Sequence, residues 1–155
     1  MGLYFGKYFI FLNLIKRINE KVIGIDLFEI SDWEKRFYGN MGAWPSDDGD
    51  PMIIRRNSLE VTPKDLLEWA GGPYRLCSAD GGHSCEVALN DLQLAHEVIA
   101  DGGVIMVDDY FDPKFPGVSE AVNRFYLLST NHRDTVPFLI TGNKLFISTS
   151  GHGER

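Results

Sequence analysis

The chain of 155 residues is 44% hydrophobic and 24% charged, with a formal net charge of −7 and a pI near 5.0. That length suits one domain, which at this size buries roughly 70% of its unfolded surface. The acidic balance argues against a nucleic-acid partner, which requires a basic face to neutralise phosphates. Two cysteines, Cys77 and Cys85, are too few for a disulfide framework and point to the reducing cytoplasm.

Residues 1–14 are largely apolar, but Lys7 interrupts them, no basic segment precedes them and no small-residue cleavage site follows. Neither a leader nor a membrane span is expected. Over residues 7–20, Phe11, Leu14, Ile15 and Ile18 fall at helical spacing, and a helix apolar on most sides is predicted to be buried. Residues 21–26 read as a short strand with Asp26 at its carboxyl end. Residues 39–51, rich in glycine, proline and aspartate, read as a long loop or lid. A strand beginning at Met52 ends near Asn57-Ser58. Thr62-Pro63-Lys64-Asp65 then starts a helix, with Thr62 as its cap and Pro63 in the first helical position. Gly71-Gly72-Pro73 stops that helix, and residues 74–80 form a third strand that again ends in a carboxylate, Asp80.

Ser84 or Cys85 opens the next helix, which carries Ala88, Leu92, Ala95 and Ile99 on one face and is closed by Gly102-Gly103. Residues 104–107 are continuously apolar, as a strand buried on both faces is, and lead into Asp108-Asp109. A helix over residues 118–128 follows, and strands at 136–140 and 145–148 flank a hairpin signal, Thr141-Gly142-Asn143-Lys144. Strands alternating with helices predict an α/β fold with a mostly parallel sheet, finished by an antiparallel C-terminal hairpin.

Ligands of open α/β sheets bind outside the carboxyl ends of the strands, and this chain places Asp26, Asp80, Asp108 and Asp109 at three such ends. Asp80, Asp108 and Asp109 brought together repel one another unless a cation lies among them, and oxygen-only ligands favour a hard ion such as Mg²⁺. The plainer alternative is an aspartate pair that solvates a strand end. His83 follows Asp80 across Gly81-Gly82, where it can take a proton from a bound hydroxyl, or simply open the next helix. Gly2 and Gly6 bracket a turn that feeds a helix N-terminus, and Asp26, about 20 residues on, suits a pair of ribose hydroxyls. His96, His132 and His152 read as surface or structural, Cys77 and Cys85 as small buried residues, and Trp33 and Trp44 as candidates to line a pocket, with Trp69 in packing.

In order and spacing, five blocks resemble one known family. They are Gly2-Leu-Tyr-Phe-Gly6-Lys; Val22-Ile-Gly-Ile-Asp-Leu-Phe-Glu29; Ala79-Asp-Gly-Gly-His-Ser84 with Leu89-Asn-Asp-Leu92; Asp101-Gly-Gly-Val-Ile-Met-Val-Asp-Asp-Tyr-Phe111; and Phe115-Pro-Gly-Val-Ser-Glu-Ala-Val122. The family is the class I S-adenosylmethionine (SAM) dependent methyltransferases, in the branch that includes the macrolide-sugar O-methyltransferases. The resemblance implies a seven-stranded Rossmann-like sheet with an antiparallel final strand. It implies that Gly2 and Gly6 flank the methionine part of SAM, that Asp26 holds the ribose, and that Ser58 lies near the adenosine. Asp80 would border the cofactor and, with Asp108 and Asp109, bind Mg²⁺; His83 would be the base. The implied reaction is methylation of a hydroxyl on a sugar or other secondary metabolite, with residues 39–51 and the turn 112–115 shaping the acceptor pocket. Self-association is left open.

One departure stands out. In this family an apolar strand ending in an acid precedes the first glycine, and here Met1 occupies the acid's place. The expectation is a single domain over residues 1–155 that begins late, with an incomplete sheet. Two other readings compete: a methyltransferase-fold remnant without catalysis, and a nicotinamide-dependent oxidoreductase. The second explains Asp26 but not the aspartate pair, and Gly2–Gly6 does not spell its G-x-G-x-x-G turn.

Overall fold

The structure is a computed structural model and describes residues 1–44, 51–128 and 135–149. Its elements are α1 (Lys7–Ile15), β1 (Ile23–Asp26), α2 (Ser31–Gly42), β2 (Met52–Arg55), a 3-10 turn (Ser58–Glu60), α3 (Pro63–Ala70), β3 (Tyr74–Ala79), α4 (Cys85–Val98), β4 (Ile99–Val107), α5 (Pro116–Leu128), β5 (Thr135–Thr141) and β6 (Lys144–Thr149). Local chemistry sets several boundaries. Thr62 and Asp65 form a reciprocal capping box ahead of Pro63, and Gly71 ends α3 in the left-handed conformation. The Ser84 hydroxyl accepts from Val87 N–H to start α4.

The strands form two ladders. β1 and β2 pair in parallel. β3, β4, β6 and β5 form the other ladder in that order, with β3–β4 parallel and the β5–β6 hairpin antiparallel onto β4. The α/β class and the antiparallel finish are as the sequence predicts. The seven-stranded sheet that the resemblance implies is incomplete among the described residues, as the departure at Met1 leads one to expect: six strands lie in two ladders, with Met1 bonded to β3 and Gly2 to β1 across the gap between them.

The main core packs α4 and α5 on the larger ladder through Leu92, Ala95, Ile105, Val122, Phe125 and Ile147. A second cluster joins Ile25 of β1 to Leu66 of α3 and to Leu94 and Val98 of α4. A third gathers Leu3, Phe9, Phe28 and Phe37 over the smaller ladder.

Three local expectations are corrected. α1 stops at Ile15 rather than running to residue 20, because Lys16 turns to extended backbone. It is not a buried helix either: Phe9 and Asn13, one turn apart, face inward, whereas Phe11, Leu14, Ile15 and Ile18 are exposed, Ile18 by 81%. The segment 39–51 is helical as far as Gly42, since α2 extends into it; within the remainder of that proposed lid, residues 45–50 lie outside the described residues, as do His132 and His152. Finally, β4 starts at Ile99, ahead of the glycine pair, and pairing with β3 shifts register before becoming regular at Val104.

Candidate active site

The carboxyl ends of β3 and β4 bring the central acids together. Asp80 follows β3 directly, and Asp108 and Asp109 follow β4, where Asp108 N–H is held by the Ala79 carbonyl at 3.1 Å. Ligand atoms of Asp80, His83 and Asp109 all lie within 4.8 Å of one another, a spacing fit for a metal ion. Burial, then the neighbouring Asp108 carboxylate, push the Asp80 carboxyl up to about 7. An acid this reluctant to ionise gains from a cation beside it, so the donor set fits a hard divalent ion.

Asp108 is engaged otherwise. Its Oδ2 holds the Lys144 ammonium, and its Oδ1 accepts Asp109 N–H at 2.9 Å. Asp109 has φ of +57°, a conformation that aspartate tolerates better than most residues. Asn143 Nδ2 donates to its Oδ1 at 2.5 Å, and His83 Nε2 lies 3.0 Å from its Oδ2. The His83 ring stacks on Phe115, with centroids 3.8 Å apart and planes 16° from parallel. The Asp109 carboxylate and the Phe115 ring together hold the His83 ring in place.

The glycine turn lies beside this group. Gly2 has φ of +79°, and a Cβ there would run into the Asp80 carbonyl, so only glycine allows the approach. Gly6, with φ of +84°, caps α1 against the Phe37 ring. Asp26 Oδ2 accepts Leu3 N–H at 2.6 Å and Oδ1 accepts Phe28 N–H at 2.7 Å, so this acid shapes the turn as well as standing at the end of β1. Ser58 is not gathered with the carboxylates. It begins the 3-10 turn beyond β2, where its carbonyl accepts from Asn90 of α4 at 3.1 Å. Trp33 stands edge-on to Tyr4 and Phe5 of the glycine turn.

Sequence reasoning missed Lys144 and Asn143, which were read as turn residues only; their signal was the hairpin's return beside β4. It also missed Tyr8, whose hydroxyl burial pushes above its ordinary pKa, with Asp108 and Asp80 adding to the shift. It missed Asp91, 1% exposed, whose carboxyl burial pushes up while the Ser58 and Asn90 side chains beside it pull the other way, and one of whose oxygens stands where a Gly81 side chain would.

A family model described as "Methyltransferase domain" matches residues 1–110. An uncharacterized protein of Acanthamoeba polyphaga mimivirus is 27% identical over 106 residues, 68% of this chain and 48% of that protein, so the chain spans about half the length of that curated relative. Among solved structures, a TDP-rhamnose 3'-O-methyltransferase of calicheamicin biosynthesis has a TM-score of 0.70 at 16% identity, covering 95% of this chain and 68% of the other. The O-methyltransferase TomG of Streptomyces achromogenes, involved in tomaymycin synthesis and solved with SAM, has a TM-score of 0.69 at 16% identity, covering 97% and 71%. A putative rRNA methylase of Clostridium thermocellum has a TM-score of 0.66 at 15% identity, covering 94% and 83%. At such identities the structural likenesses show the fold, and the family match identifies the domain: the chain belongs to the methyltransferase-domain family, with the class I SAM-dependent methyltransferase fold.

Proposed function

We propose that the chain is a SAM-dependent O-methyltransferase that uses a divalent cation, Mg²⁺, and acts on a hydroxyl of a sugar or other small metabolite. The observation that carries this reading is the convergence of Asp80, His83 and Asp109 at the carboxyl end of the sheet, next to the Gly2–Gly6 turn. The net charge of −7 supports a small neutral acceptor over a polyanion.

Gly2 and Gly6 would let backbone approach the methionine part of SAM, Asp26 would take the ribose hydroxyls on its remaining lone pairs, and Ser58 would lie toward the adenosine. Asp80 and Asp109 would hold the cation, and Asp108 would complete the set on releasing Lys144. Bound there, the ion supplies Lewis acidity that makes a substrate hydroxyl easier to deprotonate. His83, oriented by Asp109 and by stacking on Phe115, accepts that proton. SAM, when bound, would supply the methyl group, its C–S bond breaking as the substrate oxygen forms the new C–O bond and S-adenosylhomocysteine being left. The chain's main contribution is alignment of the two reactants.

The test combines calorimetry and turnover. S-adenosylhomocysteine should bind, and at 100 times its Kd should raise unfolding free energy by about 2.7 kcal/mol. His83→Gln should lower kcat by roughly 10²-fold or more while leaving that affinity intact. Full methyl transfer in chelator would remove the cation from the mechanism. The contact of Lys144 with Asp108 favours a second reading, a methyltransferase fold that holds no ion; absence of Mg²⁺ heat with intact S-adenosylhomocysteine binding would select it.

A further inference from the structure

Asp91 is the one acid among the buried polar side chains of the described residues. It lies on α4 in line with Leu94, Ala95 and Val98, three, four and seven residues on, and shares their buried face. That stripe is otherwise apolar. A carboxyl group gives up hydration there that an aliphatic side chain would not, and packing alone is served as well by leucine. The catalytic reading leaves this acid without a task.

Its carboxyl group stands between two turns. On one side is the turn from β3 to α4. A Cβ on Gly81 would lie 2.4 Å from Asp91 Oδ2, so the carboxyl group rests directly against the Gly81 backbone. The space it leaves beside Asp80, Gly81, Gly82 and His83, about 10 Å³, admits one water at most. A Cβ on Gly82 would meet Val87 at 3.0 Å, so the first turns of α4 press on both glycines. On the other side is the 3-10 turn after β2. The Ser58 and Asn90 side chains lie beside the Asp91 carboxyl group, and Asn90 Nδ2 donates to the Ser58 carbonyl at 3.1 Å. The Asn57 side chain accepts from Leu59 N–H at 3.1 Å and fixes that turn in its own right. Two successive residues of one helix thus hold a turn of the smaller ladder and a turn of the larger one.

We propose that Asp91 is a positioning residue: seated between the Ser58 turn and Gly81, its carboxyl group fixes where Asp80 and His83 stand relative to each other. Those two residues flank a pair of glycines, the residues with the widest backbone freedom. Left unsupported, that pair lets a cation ligand and a base drift apart, and a misplacement of about 1 Å is enough to cost roughly 10²-fold in rate. Leucine would fill the same volume but accept nothing from the Ser58 hydroxyl, so the acid is the side chain that can both brace Gly81 and engage the second turn. The assignment rests on the reading of Asp80 as cation ligand and His83 as base, and Asp91 itself touches neither ion nor substrate.

The experiment measures backbone order parameters by ¹⁵N relaxation on the 155-residue chain, together with Mg²⁺ calorimetry. Gly81 and Gly82 should be rigid, with values of about 0.85, and Asp91→Leu should drop both below about 0.6 while Ile105 in β4 keeps its value. Mg²⁺ affinity should fall by about tenfold in that variant. Asp91→Asn, which keeps an acceptor oxygen of the same shape, should restore the order of both glycines. Ser58→Ala, at the other end of the contact, should loosen the same two glycines and add nothing in the double variant with Asp91→Leu. Unchanged order at Gly81 and Gly82 in Asp91→Leu overturns the proposal, and so does equal loosening at Ile105, the mark of a role in the fold as a whole. Should Asp91→Leu fail to fold, Ser58→Ala decides, and rigid glycines there overturn it. A chain that binds no Mg²⁺, yet loosens at the two glycines as expected, overturns the cation reading and upholds the role of Asp91.

Discussion

Lys144 decides how the acidic group behaves. Its ammonium sits on Asp108 while Asp80, His83 and Asp109 converge without it, so the site carries a built-in competitor for any added cation. Lys144→Met is expected to tighten Mg²⁺ binding by roughly tenfold, the effect of removing a unit charge a few ångströms away. Calorimetry with Mg²⁺ checks this, and unchanged affinity would show that Asp108 lies outside the set. At Gly2 the constraint is steric rather than electrostatic. Both its positive φ and the Asp80 carbonyl oppose a side chain. Gly2→Ala should destabilise the fold by more than ~1 kcal/mol, measured by denaturant unfolding.

Among the elements, the connection from α1 to β1 and the body of β3 meet through one ion pair. Arg75 bonds Glu20 through Nε and Nη2, both at 2.8 Å, and holds the Glu20 carboxyl down at about 2. A carboxyl whose folded pKa is depressed stabilises the fold above its unfolded value, and that contribution disappears as pH falls through the folded pKa. The pair's contribution is therefore present above about pH 4.5 and lost toward pH 2. Both side chains are about one-third exposed, so it amounts to less than ~1 kcal/mol. Glu20→Gln should lower stability at pH 7, leave it unchanged near pH 2, and flatten the acid limb of a pH–stability curve. α1 offers a second comparison. Phe9→Ala, at 4% exposure, should cost about 3–5 kcal/mol, whereas Ile18→Thr just beyond the helix should stay within about 0.5 kcal/mol.

The whole molecule is unevenly braced. The larger ladder is covered by α4 and α5 around the fully buried Leu92, Phe125 and Ile147. The smaller ladder has two strands, joined to the rest by Met1, Gly2, the Glu20–Arg75 pair and the cluster around Ile25. Opening of the smaller unit should therefore precede global unfolding. Native-state hydrogen exchange should show Ile54, whose N–H lies within the β1–β2 ladder, exchanging about 10²-fold faster than Ile105, and equal rates would show that the gap between β1 and β3 does not divide the fold cooperatively.

Much of this was legible in the residues. Thr62-Pro63 and Gly71 set α3, the apolar 104–107 run marked an interior strand, and Thr141-Gly142-Asn143-Lys144 marked the hairpin, because capping, periodicity and turn preference act over a few residues. The carboxylates at three strand ends were legible for the same reason. The gap in the sheet was legible too, from the departure at Met1, whereas the face that α1 buries, the ion pair that Lys144 makes with Asp108 and the buried carboxylate of Asp91 were not. Sequence alone determined which elements form and which chemistry stands at their ends. Tertiary structure decided which acid meets which cation and which face of α1 turns inward, because these depend on contacts between residues tens of positions apart, whose geometry no local pattern encodes.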